Sequence, residues 1–203
     1  MAMISEGAEA RIYSGEFLGS RIAVKERVSK AYRVKTLDSA IISQRTRSEA
    51  RTMALARSAG VLVPSLVFVE GNRISMELVE GKTLNRLMDS MPSKRLTAVM
   101  GELGRYLGLM HNVDIAHGDY TTANALVSKR GTYVIDFGLA SITKSVEDKA
   151  LDLLLMKRSV GARAFLPFLR SYGRAGKDHK AVIERLLEIE RRGRYQNRSL
   201  GEQ

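Results

Sequence analysis

The chain of 203 residues contains no cysteine, which excludes disulfides and thiolate metal sites and predicts a reducing, cytoplasmic location. Only three histidines are present, and their dispersed positions (His111, His117 and His179) argue against a zinc site. No stretch approaches the length of a membrane-spanning helix, and the first ten residues carry no basic-then-apolar targeting signal. A globular protein without a membrane partner is therefore expected.

Negative charge is scarce relative to positive charge. The sequence has 33 Lys and Arg against 22 Asp and Glu, a formal net charge of +11. The excess is uneven, since residues 157–198 hold 12 basic and 4 acidic side chains. Clustering of this kind favours a polyanionic partner, above all nucleic acid, although a solvated surface would account for part of it.

The pattern of turn residues and apolar periodicity predicts an ordered succession of elements. Three strands are expected within residues 1–26, with Gly7 and Gly19 in the turns. A helix over 37–59 ends at Gly60. The further elements expected are strands at 65–70 and 73–80, helices near 83–90 and 94–113, a hairpin of 124–128 with 132–136, and helices over 147–192 broken near Gly161 and again around 173–176. This order predicts an α+β domain spanning 1–203, with an N-lobe (1–79), a helical C-lobe (80–193), a basic flexible tail (194–203) and a ligand cleft between the lobes.

Lys25 and Glu49 are expected to form an ion pair. Side chains alternate along the strand IAVKE, so Ala23 and Lys25 share one face. Glu49 falls on an otherwise apolar stripe of the following helix, where a carboxylate needs a cation. Arg47 and Arg51, on the same helix, are the alternative partners.

The run IAHGDYTTANAL (115–126) is polar between apolar flanks, which predicts a loop held at both ends. A solvated turn with a helix cap is the alternative use of such residues. A short way downstream, the β-prone run YVID ends at Asp136. Asn124 and Asp136 can hold Mg²⁺ through oxygen ligands, while Asp119 accepts a hydroxyl proton. These residues are the parts required for phosphoryl transfer from a nucleotide.

These motifs resemble those of protein kinases. HGDYTTAN is similar to the H-R-D-x-x-x-x-N catalytic loop, and Asp136-Phe137-Gly138 to D-F-G. Lys25 resembles the strand lysine of V-A-I-K, with Glu49 as its helix partner. The resemblance implies a bilobal protein-kinase-like fold, with a small β-rich N-lobe containing one main helix and a reduced helical C-lobe. Two departures are that Gly7 stands without a G-x-G-x-x-G motif, and that Gly118 replaces the arginine that would pair with a phosphorylated activation loop.

The wider pattern resembles the small atypical serine/threonine kinases of the KEOPS complex, the PRPK family, which are relatives of the RIO kinases. The residues that carry this resemblance are GAEA (7–10), YR (32–33), RTRSEA (45–50), HGD-x-T-x-x-N (117–124), IDFGLA (135–140), EDKALDL (147–153) and RRGR (191–194). Tyr120 departs from the usual leucine, either as a tolerated packing change or as a change at the substrate mouth.

The resemblance implies ATP and Mg²⁺ as cofactors, serine/threonine phosphorylation and ATP hydrolysis. It also implies partners, namely a Kae-type threonylcarbamoyltransferase subunit, a small accessory subunit and tRNA. A non-catalytic tRNA-binding scaffold and a small-molecule phosphotransferase are the alternatives. The catalytic residues implied are Lys25, Asp119 and Asn124, the metal ligands Asn124 and Asp136, and the nucleotide contacts Gly7, Ala23, Lys25, Glu49, Met76, Glu77, Leu78, Asn124 and Asp136.

Three further residues are expected to support the site or the core around it. His117 is expected to pack within the loop, because Asp119 is better placed as a base. Asp152 resembles the acid that accepts backbone N–H groups from the catalytic loop. Met76 can belong to the ordinary core, to the edge that meets adenine, or to both.

The basic tail yields a first prediction. Arg191, Arg192, Arg194 and Arg198 are expected to reach either a tRNA-bearing assembly or the protein's own cleft. Truncation after Glu190 should therefore weaken tRNA binding while leaving the melting temperature nearly unchanged. Removing one arginine–phosphate interaction should flatten the log–log salt dependence of affinity by roughly 0.7 to 0.9. A salt titration of tRNA affinity for full-length and truncated protein measures this slope. Identical slopes and affinities for the two proteins would show that the arginines of the tail are solvent-exposed and do not contribute to tRNA binding.

Overall fold

The computed structural model describes residues 2–7, 9–30 and 32–199, apart from the side chains of Arg163 and residues 193–199. The strands are β1 (Ala2–Glu6), β2 (Ala10–Phe17), β3 (Ser20–Arg27), β4 (Leu66–Glu70), β5 (Arg73–Glu77), β6 (Gly81–Thr83), β7 (Ile115–Ala116), β8 (Ala125–Ser128), β9 (Gly131–Val134) and β10 (Ser141–Ile142). The α-helices are α1 (Lys35–Ser58), α2 (Leu84–Leu87), α3 (Ser93–Asn112), α4 (Val146–Ala175) and α5 (His179–Ser199).

The N-terminal part is an antiparallel sheet in the order β1-β2-β3-β5-β4, with α1 inserted between β3 and β4. The three predicted strands before residue 27 are confirmed. Leu18 and Gly19 form the β2–β3 turn with φ of 48° and 74°. Positive φ at both central residues matches the twist of a two-residue hairpin, which explains the glycine.

The chain between β3 and α1 is fixed by Asp38, whose side chain is buried at the start of the helix. Its carboxylate accepts hydrogen bonds from the Ser29 hydroxyl at 2.6 Å and the Lys30 N–H at 3.1 Å. The Ser29 bond is the largest influence on the pKa of Asp38, which lies below its ordinary value. An ionised carboxylate in the first turn of a helix interacts favourably with the helix dipole, so Asp38 stabilises the start of α1.

The C-terminal part is helical, as predicted, and α3 against α4 is its main helix–helix contact. Gly104 is buried on α3, where a Cβ would lie 2.1 Å from the carbonyl oxygen of Phe168. The two helix backbones therefore touch without a side chain between them. The predicted break at Gly161 is confirmed by its non-helical φ of 74° within α4.

Contacts between the two parts were not anticipated from the sequence. β6, directly after the first sheet, pairs antiparallel with β8. The Val134 N–H donates to the carbonyl of Leu62 at 2.9 Å, and Arg130 pairs with Glu77. These bonds join the parts at the back of the cleft. The lobe boundaries near residue 79 remain a prediction.

The last predicted segment is only partly described. Helix α5 extends to Ser199, while residues 200–203 and the side chains from 193 onward lie outside the described residues. The flexible tail at 194–203 therefore stays a prediction. In the part of the chain that the structure covers, no helix has the length and apolar character needed to cross a membrane.

We predict that Gly104→Ala destabilises the fold because its methyl group must push the α4 backbone away. Overpacking of this kind costs about 1–3 kcal/mol, which exceeds the helix-propensity gain of about 1 kcal/mol over glycine. Gly173→Ala on α4 is the matched control, since its Cβ would meet nothing closer than 3.8 Å. Urea denaturation should show a lower free energy of unfolding for Gly104→Ala only. Equal stability of the two variants would contradict the close backbone approach.

Candidate active site

The floor of the site is one face of β3, where Lys25 and Arg27 point the same way as alternate residues. Both are buried, with relative exposures of 8% and 5%. Their antiparallel partners on β2 are Ile12 and Ala10, which share this face. Cations on a buried strand face require anions close by, because an uncompensated charge there is costly.

Glu49 on α1 supplies that anion and is itself 3% exposed. Lys25 Nζ lies 2.6 Å from Glu49 Oε1, so the predicted ion pair is present. Arg27 pairs with the other oxygen, Glu49 Oε2. The alternative partners Arg47 and Arg51 are exposed on α1, and the ion pairs of Glu49 run to β3 instead.

Asp136 approaches the same lysine from the C-terminal part. It follows β9 with a φ of 61°, a left-handed conformation rarely adopted outside glycine and typical of functional sites. Asp136 Oδ1 accepts from Lys25 Nζ at 2.8 Å and from the Gly138 N–H at 3.2 Å. Desolvation works against ionisation of Asp136, but the charge and hydrogen bond of Lys25 outweigh it and hold the pKa below its ordinary value. The carboxylate is therefore ionised at neutral pH, as a metal ligand must be.

The loop at 117–124 is held from below by Asp152 on α4, which is fully buried. Its carboxylate accepts the backbone N–H of His117 at 2.7 Å and of Gly118 at 2.8 Å, which is the contact the resemblance implied. His111 Nε2 lies 3.2 Å from the same carboxylate. This single side chain thus fixes the backbone immediately before Asp119.

His117 is structural, as predicted. Its Nδ1 accepts from the Asp119 N–H at 3.3 Å, which leaves Nε2 to donate to the carbonyl of Ile135 at 3.2 Å. Complete burial lowers the pKa of His117, so the ring is neutral and matches these bonds. It joins the loop to the strand that leads into Asp136.

Asp119 and Asn124 are bound to each other. The Asn124 amide nitrogen donates to the Asp119 carboxylate Oδ2 at 2.7 Å and to its backbone carbonyl at 2.9 Å. Using the nitrogen for both bonds leaves the amide oxygen available as a ligand. Asp119 keeps Oδ1 as a second acceptor, so both side chains retain the oxygen atoms that the proposed chemistry needs.

A cavity of about 440 Å³ lies beside these side chains. Gly7, Lys25, Arg27, Asp119 and Asp136 are among its lining residues. The cavity thus lies between the β1–β2 turn, the β3 face and the C-terminal loops. Among the described residues no cluster of three or more His, Cys, Asp or Glu is placed to hold a metal ion, so a cation here would depend on Asp136, Asn124 and oxygens from outside the protein.

The residues expected at the adenine edge lie farther along the sheet. Ala23 pairs with Met76 in register, on the same face as Lys25. The Glu77 N–H donates to the Ser65 carbonyl at 2.8 Å, and the Leu78 N–H to the Arg21 carbonyl at 3.3 Å. The N–H groups of Glu77 and Leu78 are therefore already engaged, and an adenine ring at this edge would have to bond to other groups.

Tyr120, which departs from the KEOPS-type kinases, and Gly118, which departs from the H-R-D loop, both have structural explanations. Tyr120 is 2% exposed and donates its hydroxyl to the Leu103 carbonyl at 2.8 Å, so the substrate-mouth interpretation is wrong and the packing interpretation holds. Gly118 has a φ of 77°, and a Cβ there would lie 2.5 Å from the carbonyl oxygen of Leu139. Glycine is thus required by the loop's own packing.

The comparisons with known proteins agree with this geometry. Residues 13–161 match the RIO domain model. KEOPS complex subunit Bud32 of Pyrococcus abyssi is 35% identical to this chain, and the alignment covers 98% of each protein. A probable bifunctional tRNA threonylcarbamoyladenosine biosynthesis protein of Methanobrevibacter smithii is also 35% identical, over 95% of this chain and 36% of that protein. A solved structure, WaaP in complex with acyl carrier protein, superposes with a TM-score of 0.64 at 18% identity, over 94% of this chain and 88% of that one.

The chain belongs to the Bud32 family of RIO-domain proteins. The predicted resemblance and the bilobal protein-kinase-like fold of the α+β class are thereby confirmed. The family makes the protein an atypical kinase-like enzyme, and the fold is one that binds nucleotides.

Sequence reasoning missed Arg27. The expected strand stopped at Glu26, one residue short, although β3 alternation places Arg27 on the face of Lys25. Because Arg27 is a second cation beside Glu49, it changes the loss of unfolding free energy expected when Lys25 is replaced. The sequence alone suggested that Lys25→Ala would cost about 3 to 5 kcal/mol, as for one partner of a fully buried pair.

We now predict that Lys25→Met costs less than about 3 kcal/mol of unfolding free energy, since Arg27 still neutralises Glu49 and Asp136 is half exposed to water. Glu49→Gln should cost more, because it deprives two buried cations of their common anion. Urea denaturation of both variants beside the wild type measures the difference. A larger loss for Lys25→Met than for Glu49→Gln would show that Arg27 gives Glu49 no effective compensation.

Proposed function

We propose that this protein is an ATP- and Mg²⁺-dependent atypical serine/threonine kinase with ATPase activity that acts within the KEOPS complex in threonylcarbamoyladenosine modification of tRNA. The observation that carries the catalytic part is Lys25, which bridges Glu49 and Asp136 inside a cavity that Asp119 also lines. Strand β3 contributes Lys25, helix α1 contributes Glu49, and the C-terminal loops contribute Asp119 and Asp136. Their convergence from distant parts of the sequence supports phosphoryl transfer.

The residues fit a nucleotide with its metal. A cavity of about 440 Å³ falls in the range of small-molecule sites, and its charged end holds Lys25 and Arg27. Asp136 and the amide oxygen of Asn124 are hard oxygen donors of the kind Mg²⁺ prefers, with phosphate oxygens and water expected to complete the coordination. When bound, the metal would neutralise charge on the transferring phosphate. The remaining predicted contacts are Gly7 in the β1–β2 turn and the edge formed by Ala23, Met76, Glu77 and Leu78.

Each catalytic side chain has a role that its contacts support. Lys25 would turn its ammonium toward the nucleotide's phosphates, since it already lies between the two carboxylates that position it. Asp119 would accept the proton of the attacking hydroxyl at Oδ1, while Asn124 holds Oδ2. Asp152 and His117 keep the loop backbone in place, and so fix where that proton is accepted.

The assembly role rests on relatives. Bud32 of Pyrococcus abyssi is named as a KEOPS subunit and matches the chain almost end to end. The Methanobrevibacter protein is named as bifunctional in threonylcarbamoyladenosine biosynthesis, and our chain matches about a third of it. Both support KEOPS partners, namely a Kae-type threonylcarbamoyltransferase subunit and a small accessory subunit. They also support tRNA as the polyanion suggested by the net charge of +11.

We predict that Asp136→Ala abolishes Mg²⁺-dependent ATP hydrolysis and autophosphorylation while the protein stays folded. The side chain of Asp136 is 53% exposed, and its loss leaves Lys25 paired with Glu49. Asp119→Asn should lower turnover by about 10² or more, the usual contribution of a positioned base. Phosphate release and incorporation of labelled phosphate, measured across a Mg²⁺ titration, report both effects.

Asp89→Asn is the matched control, because Asp89 is an exposed carboxylate outside the cavity. Its turnover should equal that of the wild type. Wild-type turnover in folded Asp136→Ala protein would remove the metal role of Asp136. A wild-type protein that binds tRNA and KEOPS partners but never turns over ATP would support the scaffold alternative instead.

A further inference from the structure

Arg27 sits at the centre of an alternating series of charges that runs from the surface of α1 into the cavity. Arg45 lies 3.1 Å from Glu9, and Glu9 lies 3.8 Å from Arg27. Arg27 pairs with Glu49, which Lys25 meets at 2.6 Å. Side-chain exposure drops between the turn and the helix, from 54% at Glu9 to 5% at Arg27 and 2% at Glu49. Arg27 therefore connects the β1–β2 turn to the buried end of the site.

The two cations divide the Glu49 carboxylate between them. Lys25 takes Oε1 and Arg27 takes Oε2. Lys25 also has a second anion, Asp136, whereas the other anion of Arg27 is the more distant Glu9. If Lys25 moves away from Glu49, the buried carboxylate is not left without a cation, because Arg27 remains bound to it.

The β1–β2 turn has no positively charged side chain of its own. Its single glycine, Gly7, donates its N–H to the carbonyl of Ala10 at 2.9 Å, so that donor is engaged within the turn. Glu9 in the same turn is acidic. Positive charge at this end of the cavity comes instead from Lys25 and Arg27. Within the described residues the Nε of Arg27 is buried and has no hydrogen-bond partner, so the guanidinium has a donor to spare.

We propose that Arg27 is a positioning residue for the phosphates of a bound nucleotide: it holds Glu49 and the β1–β2 turn so that Lys25 can turn from its carboxylates to the phosphates. This assignment rests on the proposed function, since it presupposes nucleotide in the cavity. It also gives the β1–β2 turn, which lacks a glycine-rich motif, a connection to β3 through the charges of Glu9 and Arg27.

The test compares two ligands that differ in their phosphates. Binding of a non-hydrolysable imido analogue of ATP with Mg²⁺, and of adenosine, is measured by calorimetry for the wild type and for Arg27→Gln. The glutamine can still donate to Glu49 but carries no charge. We expect the affinity for the ATP analogue to fall about tenfold or more, as for loss of a charged hydrogen bond, and the affinity for adenosine to stay unchanged. Arg27→Lys, which keeps the charge, should recover part of the loss.

Arg73→Gln is the control for charge alone. Arg73 of β5 pairs with Glu26 of β3 at 2.7 Å. This pair lies on the face of β3 opposite to Arg27, and the Arg73 side chain is half exposed. Both of its affinities should match those of the wild type. If Arg27→Gln does not fold, Arg27→Lys decides by the same comparison, and a loss confined to the ATP analogue supports the proposal.

Three results would overturn the assignment. In the Arg27 variants, unchanged affinity for the ATP analogue would exclude a positioning role, and an equal loss for adenosine would indicate general damage to the site. A wild-type protein that binds the analogue no better than adenosine would instead refute the proposed phosphate site itself. That last result is distinct, because it is seen before any variant is made.

Discussion

The buried carboxylate of Glu49 is the constraint on which the arrangement of the site depends. Glu49 is 3% exposed on α1, and the β3 strand provides the two cations that pair with its carboxylate. The helix therefore cannot move away from the sheet without separating buried charges. The same contact orients Lys25, and Lys25 in turn reaches Asp136 in the C-terminal part. Through Lys25, this one anion thus links the helix, the strand and the loop that carries Asp136.

A second buried carboxylate performs the corresponding task in the helical half. Asp152 is satisfied by neutral donors, two backbone N–H groups and a histidine ring, where Glu49 is satisfied by charges. Burial lowers the pKa of His111 despite its contact with Asp152, which is consistent with a neutral donor. The loop that carries Asp119 is accordingly held by hydrogen bonds from neutral donors, whereas the Lys25 side of the cleft is held by ion pairs.

Much of this arrangement could be predicted from the sequence, since strand alternation and helical spacing are local properties. Alternation placed Lys25 on the correct face, and the apolar stripe on α1 indicated that Glu49 was buried. Strands of two or three residues, such as β6 and β7, carry no periodic signal and were missed. Arg27 was missed because the predicted strand stopped at Glu26, and because its role depends on pairing with the second oxygen of Glu49, which only three-dimensional packing reveals. Burial of Tyr120 likewise depends on the carbonyl of Leu103, which no local pattern reveals.

Gly118 limits how this loop can change during evolution. With φ at 77° and the Leu139 carbonyl 2.5 Å from where a Cβ would be, no single substitution can introduce a longer side chain there without displacing the segment after Asp136. An arginine at this position, as in H-R-D loops, would need a compensating change in the backbone around Leu139 at the same time. The intermediate with only one of the two changes would have a distorted site. The glycine loop and the arginine loop are therefore separated by a fitness valley, and descendants of this chain should acquire new control through added surfaces and partners sooner than through this position.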